Sequence, residues 1–261
     1  MTEELYKVLG FPRLLHHYTS LDAICGGLLS KEGLSFRLTH YAYLNDKREF
    51  DLGRDLFTIR LNGAQKEYIQ FMNKEPYYIL AFSRQADFLP MWSMYGKNGN
   101  GIMLSLKTDD IFNSVGSVLA EYMYCDEKFN FKNPEHEDYI KEIIKSYYQI
   151  KSSGKYDDVG TYHIRMKLNE MVPLIKSNYF SYEDEIRLVL KEEDKRKVSY
   201  RTNGKIIIPY ITKMLPKESL GKNTIGPTLD ATRTKQSLRM YLDYMEYDDV
   251  KIEISNAPYR G

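Results

Sequence analysis

The chain has little that would tie it to a surface, a metal or an oxidising compartment. Only Cys25 and Cys125 are present in 261 residues, too few for a disulfide framework and without the paired spacing of a structural zinc site. Both read as reduced thiols of a cytoplasmic protein. Net charge is +1, from 37 basic and 36 acidic residues, so no broad polyanion-binding surface is expected. There is no run of 18 apolar residues, and Met1-Thr2-Glu3-Glu4 lacks the basic start of a secretory leader, which argues against a membrane span or export. No Walker-type loop and no G-x-G-x-x-G occurs, which excludes the common phosphate-binding loops. The five histidines, at 16, 17, 40, 136 and 163, have no H-E-x-x-H spacing, and no metal is expected.

What is abundant is tyrosine, 23 residues beside one tryptophan; its apolar ring and single hydroxyl suit half-buried and stacking positions. Alternating apolar runs predict strands at Leu14–Thr19, Leu34–Leu38, Tyr77–Phe82, Gly101–Leu106, Ser117–Tyr124, Lys205–Tyr210, Lys222–Ile225 and Val250–Ser255. Helical spacing predicts helices through Leu21–Leu28, Phe50–Ile59, Pro134–Ile150, Tyr162–Ile175 and Ala231–Met245. Ser20 reads as the cap of the first and Asn45-Asp46 as the turn and cap of the second, with Pro90 opening a helical turn that carries Trp92 and Tyr95. Strands outnumber helices without regular βαβ alternation. The expected architecture is therefore α+β, a single domain over 1–261 with mixed or mainly antiparallel sheets and flanking helices.

The segment Phe180 to Leu190 reads as a strand in which Glu183, Glu185 and Arg187 share a face, with Tyr182, Ile186, Leu188 and Leu190 on the other. The two carboxylates would then stand about 7 Å apart on a rigid element. Read alone, E-x-E-x-R also describes a solvated strand face with an ion pair. Likewise Trp92 and Tyr95 fit an ordinary core, and Asn45-Asp46 an ordinary cap. On the early strand, alternation puts His16 and His17 on opposite faces, and His17 with Thr19 is taken as the pair facing the site.

Four segments, Leu15 to Leu29, Leu44-Asn45-Asp46, Ala81-Phe82-Ser83 with Met91-Trp92-Ser93-Met94-Tyr95 and Gly101, and Tyr182 to Arg187, together with the ending from Ile225 to Arg260, resemble a widespread bacterial family of uncharacterised domains. That family is similar to a remote branch of the ADP-ribosyltransferase-like fold. The resemblance implies an enzyme that cleaves the nicotinamide glycosidic bond of NAD, as substrate, and transfers ADP-ribose to a macromolecule, protein or nucleic acid, or to water. It implies Glu185 as the catalytic glutamate, Glu183 as the residue that orients or deprotonates the acceptor, and His17 as the contact to the adenosine ribose. For the aromatic that stacks on nicotinamide, Tyr41, Tyr43 and Tyr95 all qualify; Tyr43 is preferred, with Trp92 and Tyr95 as a supporting wall. Roles as toxin or defence effector, with an inhibitory partner protein, are compatible with that family. The alternative is a non-enzymatic module on the same fold, in which Glu183, Glu185 and Arg187 form a structural charge network and the tyrosines an interface. A local basic patch, Lys195, Arg196, Lys197 and Arg201, is a further candidate surface.

Overall fold

A computed structural model describes residues 11–46, 48, 50–61, 76–115, 119–152, 167–168 and 171–259. The strands are β1 (Leu14–Ser20), β2 (Leu29–Ser30), β3 (Gly33–His40), β4 (Tyr77–Ser83), β5 (Gly101–Lys107), β6 (Leu119–Glu121), β7 (Met123–Cys125), β8 (Ile175–Ser177), β9 (Glu185–Lys191), β10 (Ser199–Thr202), β11 (Ile207–Leu215), β12 (Leu220–Ile225) and β13 (Lys251–Ile254). Among the described residues the α-helices of six or more residues are α1 (Asp51–Arg60), α2 (Leu89–Met94), α3 (Thr108–Val115), α4 (Pro134–Ser152) and α5 (Ala231–Tyr244).

Among the described residues one large sheet runs β10-β11-β3-β4-β1-β5-β12-β13, with β2 beside β3, and β9 and β6 attached through β4. All its pairings are antiparallel except β12 with β13. The short strands β7 and β8 form a separate parallel pair. The fold is thus α+β with a mainly antiparallel sheet. No described helix is long and apolar enough to cross a membrane.

Alternation sorts the side chains onto two faces. On one, Leu15, Phe36, Leu80, Phe82, Leu104, Ile186 and Leu188 form the main core, which Leu238 and Leu242 of α5 and Ile111 of α3 cover. The other face carries two smaller apolar islands. Ile79 packs under Leu56 and Phe57 of α1, Ile140 and Ile143 of α4, and Val172 and Ile175. Tyr18 and Met103 pack under Met91 and Trp92 of α2. The polar residues described below lie between these islands.

Several expected elements differ from the structure. The cap of α1 is Phe50, at φ 69°, and not Asn45-Asp46; Asp46 Oδ1 instead accepts from Arg48 N at 2.9 Å. The predicted helix Tyr162–Ile175 falls largely outside the described residues, but its end is a 3-10 turn, Val172–Leu174, followed by β8, as expected where Pro173 removes a backbone donor. Helix α3 and edge strand β10 were not expected. Most consequentially, residues 180–190 are not one strand: Asn178–Glu183 is a 3-10 helix, Asp184 turns the chain in the left-handed region at φ 45°, and β9 begins only at Glu185.

Candidate functional site: a buried charge network at a fork in the sheet

Strand β4 keeps β9 along its whole length on one edge, from Tyr77↔Lys191 to Ser83↔Glu185. On its other edge it changes partner, from β3 at Thr39↔Ile79 and His40↔Tyr78 to β1 at the single pair His16↔Ser83. The backbone of Ala81 lies between these contacts. Its carbonyl accepts from His17 Nδ1 at 3.0 Å, and the His17 ring lies edge-on to Phe36 and Phe82, with centroids 5.2 and 6.1 Å away. The imidazole therefore substitutes for the missing strand neighbour at the fork, and burial holds it below its ordinary pKa.

Registration across five strands aligns Lys222, Ser105, His16, Ser83 and Glu185 in one row on one face. His16 Nδ1 lies 3.0 Å from Ser105 Oγ, and burial, followed by the charge of Lys222, lowers the His16 pKa to about 4. Ser83 Oγ donates to the Glu183 carbonyl at 2.5 Å, tying the 3-10 helix to the end of β4. Arg84 N donates to the Asp184 carbonyl at 3.0 Å, so the left-handed turn is fixed from the same strand end.

The Asp184 turn brings the two glutamates together around Lys176 of β8. Lys176 Nζ donates to Glu183 Oε2 at 2.6 Å and to Glu185 Oε2 at 2.7 Å. Arg187 Nε donates to Glu185 Oε1 at 2.7 Å, and the Tyr95 hydroxyl to Glu183 Oε1 at 2.5 Å. The Arg187 guanidinium lies 4.1 Å from the Tyr122 ring centroid, and Lys176 Nζ is 4.8 Å from that of Phe180. All four charged side chains are at most 5% exposed, so their mutual pairing offsets a large desolvation penalty. Burial and the nearby Glu183 raise the pKa of Tyr95, and burial and the Glu185 charge raise that of Tyr124, whose hydroxyl accepts from Glu185 N at 2.9 Å.

A cavity of about 130 Å³ opens onto this network, bordered by Asn45, Ser83, Tyr95, Lys176, Glu183 and Glu185 among others. The residues expected from the sequence fall unevenly around it. Glu183, Glu185, Arg187 and Tyr95 line it. Glu183 arrives there through the turn and not by strand alternation, and both carboxylates are buried, unlike the solvated ion-pair face that the motif also describes. His17 borders the cavity, but its ring lies on the main-core side of β1, where Thr19 shares its face and does not line the cavity. It is His16 that shares the Glu185 face, reversing the expected facing of that strand. Trp92 is fully buried against Tyr18, with Nε1 donating to Asp87 at 2.8 Å, and is core, not wall. Tyr43 is 38% exposed, edge-on to His40 and outside the cavity lining; its neighbours Leu44, Asn45 and Asp46 form that rim. Sequence reasoning missed Lys176, Ser83 and His16. For His16 and Ser83, position on strands that are covered on both faces was the available signal; Lys176 carried none.

A family model described as a protein of unknown function (DUF2971) matches residues 91–188. The matched stretch holds Tyr95, Lys176, Glu183, Glu185 and Arg187, and leaves out β1 to β4, which supply His16 and Ser83. No curated protein and no solved structure matches the chain.

Proposed function

We propose that the chain is an ADP-ribosyltransferase-like enzyme that cleaves the nicotinamide glycosidic bond of NAD and passes ADP-ribose to a macromolecule or to water. The observation that supports this reading best is the pair Glu183 and Glu185, held against Lys176 on the floor of a cleft where two strands part. When the C–N bond breaks, its electron pair goes to the pyridinium nitrogen and the ribose is left with oxocarbenium character. A fixed carboxylate in a water-poor site stabilises that charge without reorganising. Glu185 is the carboxylate in that role. Two of its hydrogen-bond partners, Lys176 and Arg187, fix its orientation. Glu183, whose bond to Tyr95 reaches across the cleft, faces the incoming acceptor, whose proton is lost as the new bond to the ribose forms. The cavity is smaller than the several hundred Å³ of a typical ligand pocket, so on this reading the Leu44–Asp46 rim opens to admit the dinucleotide.

The complete internal pairing of the four charges favours a second reading, a non-enzymatic binding module in which the network only fixes the fold. Incubation with NAD and chromatographic assay of free nicotinamide separates the two. On the enzyme reading the parent releases nicotinamide and Glu185→Gln lowers the rate by about two orders of magnitude or more, with Lys176 still bound by Glu183. NAD binding with no release by the parent, or equal rates in parent and variant, removes the enzyme reading.

A further inference from the structure

The sheet face that carries Glu185 continues past β4 onto β3, β11 and β10, where Thr39 and Ile208 are buried and Arg37 and Thr212 reach the surface. Arg37 and Thr39 stand opposite Thr212 and Tyr210 of β11, and Arg201 of β10 opposite Ile208, so Arg37, Thr39, Tyr210 and Arg201 share that face. Arg37 and Thr212 are exposed. Thr39 pairs with Ile79, four residues along β4 from Ser83, which places this shelf about 13 Å from the cleft floor by strand rise.

The two arginines differ from their basic neighbours. Of the run expected to form a patch, Arg196 is paired with Asp194 and Lys197 with Glu192. Arg37 instead lies 5.3 Å from the Tyr210 ring centroid, and Arg201 Nη2 donates to Thr39 Oγ1 at 3.1 Å, its buried Nε having no acceptor among the described residues. Neither guanidinium has a carboxylate within ion-pair distance among those residues.

We propose that this shelf binds the phosphate of a nucleotide, either a free nucleotide or a nucleotide of a single-stranded nucleic acid. The inference rests on the proposed function only in taking the cleft to hold a nucleotide-like ligand. Two forked donors with no carboxylate partner among the described residues fit phosphate geometry, because guanidinium offers parallel N–H pairs to two oxygens. Tyr210 adds a ring face for a base or sugar.

The test is equilibrium binding by fluorescence anisotropy of a labelled ADP and a labelled single-stranded decanucleotide at several salt concentrations, with Arg37→Gln, Arg201→Gln and the double variant. The double variant is expected to bind at least one probe about tenfold or more weakly. For the oligonucleotide, its salt slope should shrink by about 1.4, as for two lost phosphate contacts. Loss confined to ADP assigns the shelf to free nucleotides; loss confined to the oligonucleotide assigns it to a chain. The proposal is overturned if the parent binds neither probe, or if the double variant binds both as tightly as the parent. Arg37→Gln, at an exposed side chain, guards against misfolding and should keep the parent's thermal midpoint while weakening binding. The binding assay contains no NAD and reads no turnover, so failure of the catalytic reading leaves this result intact.

Discussion

His16 gives the sharpest test of how the sheet is faced. Its side chain is 6% exposed and its pKa is lowered from 6.5 to about 4, chiefly by burial and secondarily by Lys222. The unfolded chain therefore binds a proton at His16 between about pH 4 and 6.5 that the folded chain refuses. Stability rises with pH wherever the unfolded state holds more protons, so this contribution is fully present above pH 6.5 and is lost as pH falls toward 4. The lowering from 6.5 to about 4 corresponds to a loss of about 2 kcal/mol between pH 7 and pH 5, and about 3 kcal/mol by pH 4. Other acidic-range titrations act in parallel, so the measurement is a difference. Urea unfolding of the parent and of His16→Gln, whose amide can still reach Ser105, is followed from pH 7.5 to 4. The variant should lose about 2 kcal/mol less than the parent between pH 7 and 5. Lys222→Met should fall between them, since it removes only the second cause. Parallel profiles for parent and His16→Gln would refute the burial of a neutral imidazole beside Ser105.

Lys176→Met should destabilise the protein by about 3 to 5 kcal/mol, because it leaves two buried carboxylates facing each other; adding Glu183→Gln should recover part of that loss in urea unfolding, and strict additivity would show that the pair does not share the lysine. Asp87 accepts from Trp92 Nε1, from the Ser255 hydroxyl and from Asn256 N, so Asp87→Ala should cost about 3 kcal/mol. Since Trp92 is the only tryptophan, its emission should shift to the red in that variant and residues 255–259 should become sensitive to limited proteolysis; an unchanged spectrum and cleavage pattern would remove the anchor.

The scaffold was more legible than the site. Strands β1, β4, β5 and β12 and helices α4 and α5 announce themselves because their apolar positions repeat with a single period. The facing of β1 does not, since Leu15, His16 and Tyr18 are all buried: alternation separates His16 from His17 but cannot say which meets Ser83 when both faces are covered. Glu183 was found as a partner of Glu185 for the wrong local reason. Three consecutive acidic residues continue a strand-like pattern, and only the left-handed Asp184, a residue type that tolerates that conformation, reveals the turn. Trp92 and Tyr95, three apart, are expected on one wall; Trp92 is fully buried, whereas Tyr95, the C-cap of α2, packs only partly buried against the same island and sends its hydroxyl to Glu183. Lys176 sits between apolar Ile175 and a serine, and nothing local shows that two glutamates from later in the chain will need it.

The pairing of β4 with β9 joins segments about a hundred residues apart, through seven consecutive registers from Tyr77↔Lys191 to Ser83↔Glu185. Most of β9 is interchangeable aliphatic: Ile186, Leu188, Val189 and Leu190 would fill several alignments almost equally well. A one-residue slip would drive Glu185 and Arg187 into the face occupied by Leu15 and Leu80, and a two-residue slip would carry them about 7 Å from Lys176 and Tyr122. The charges therefore act during folding as an alignment key, penalising every near miss by stranding ions in hydrocarbon. That duty is independent of any chemistry at the cleft, so it falls on these residues whether the chain is an enzyme or a binding module.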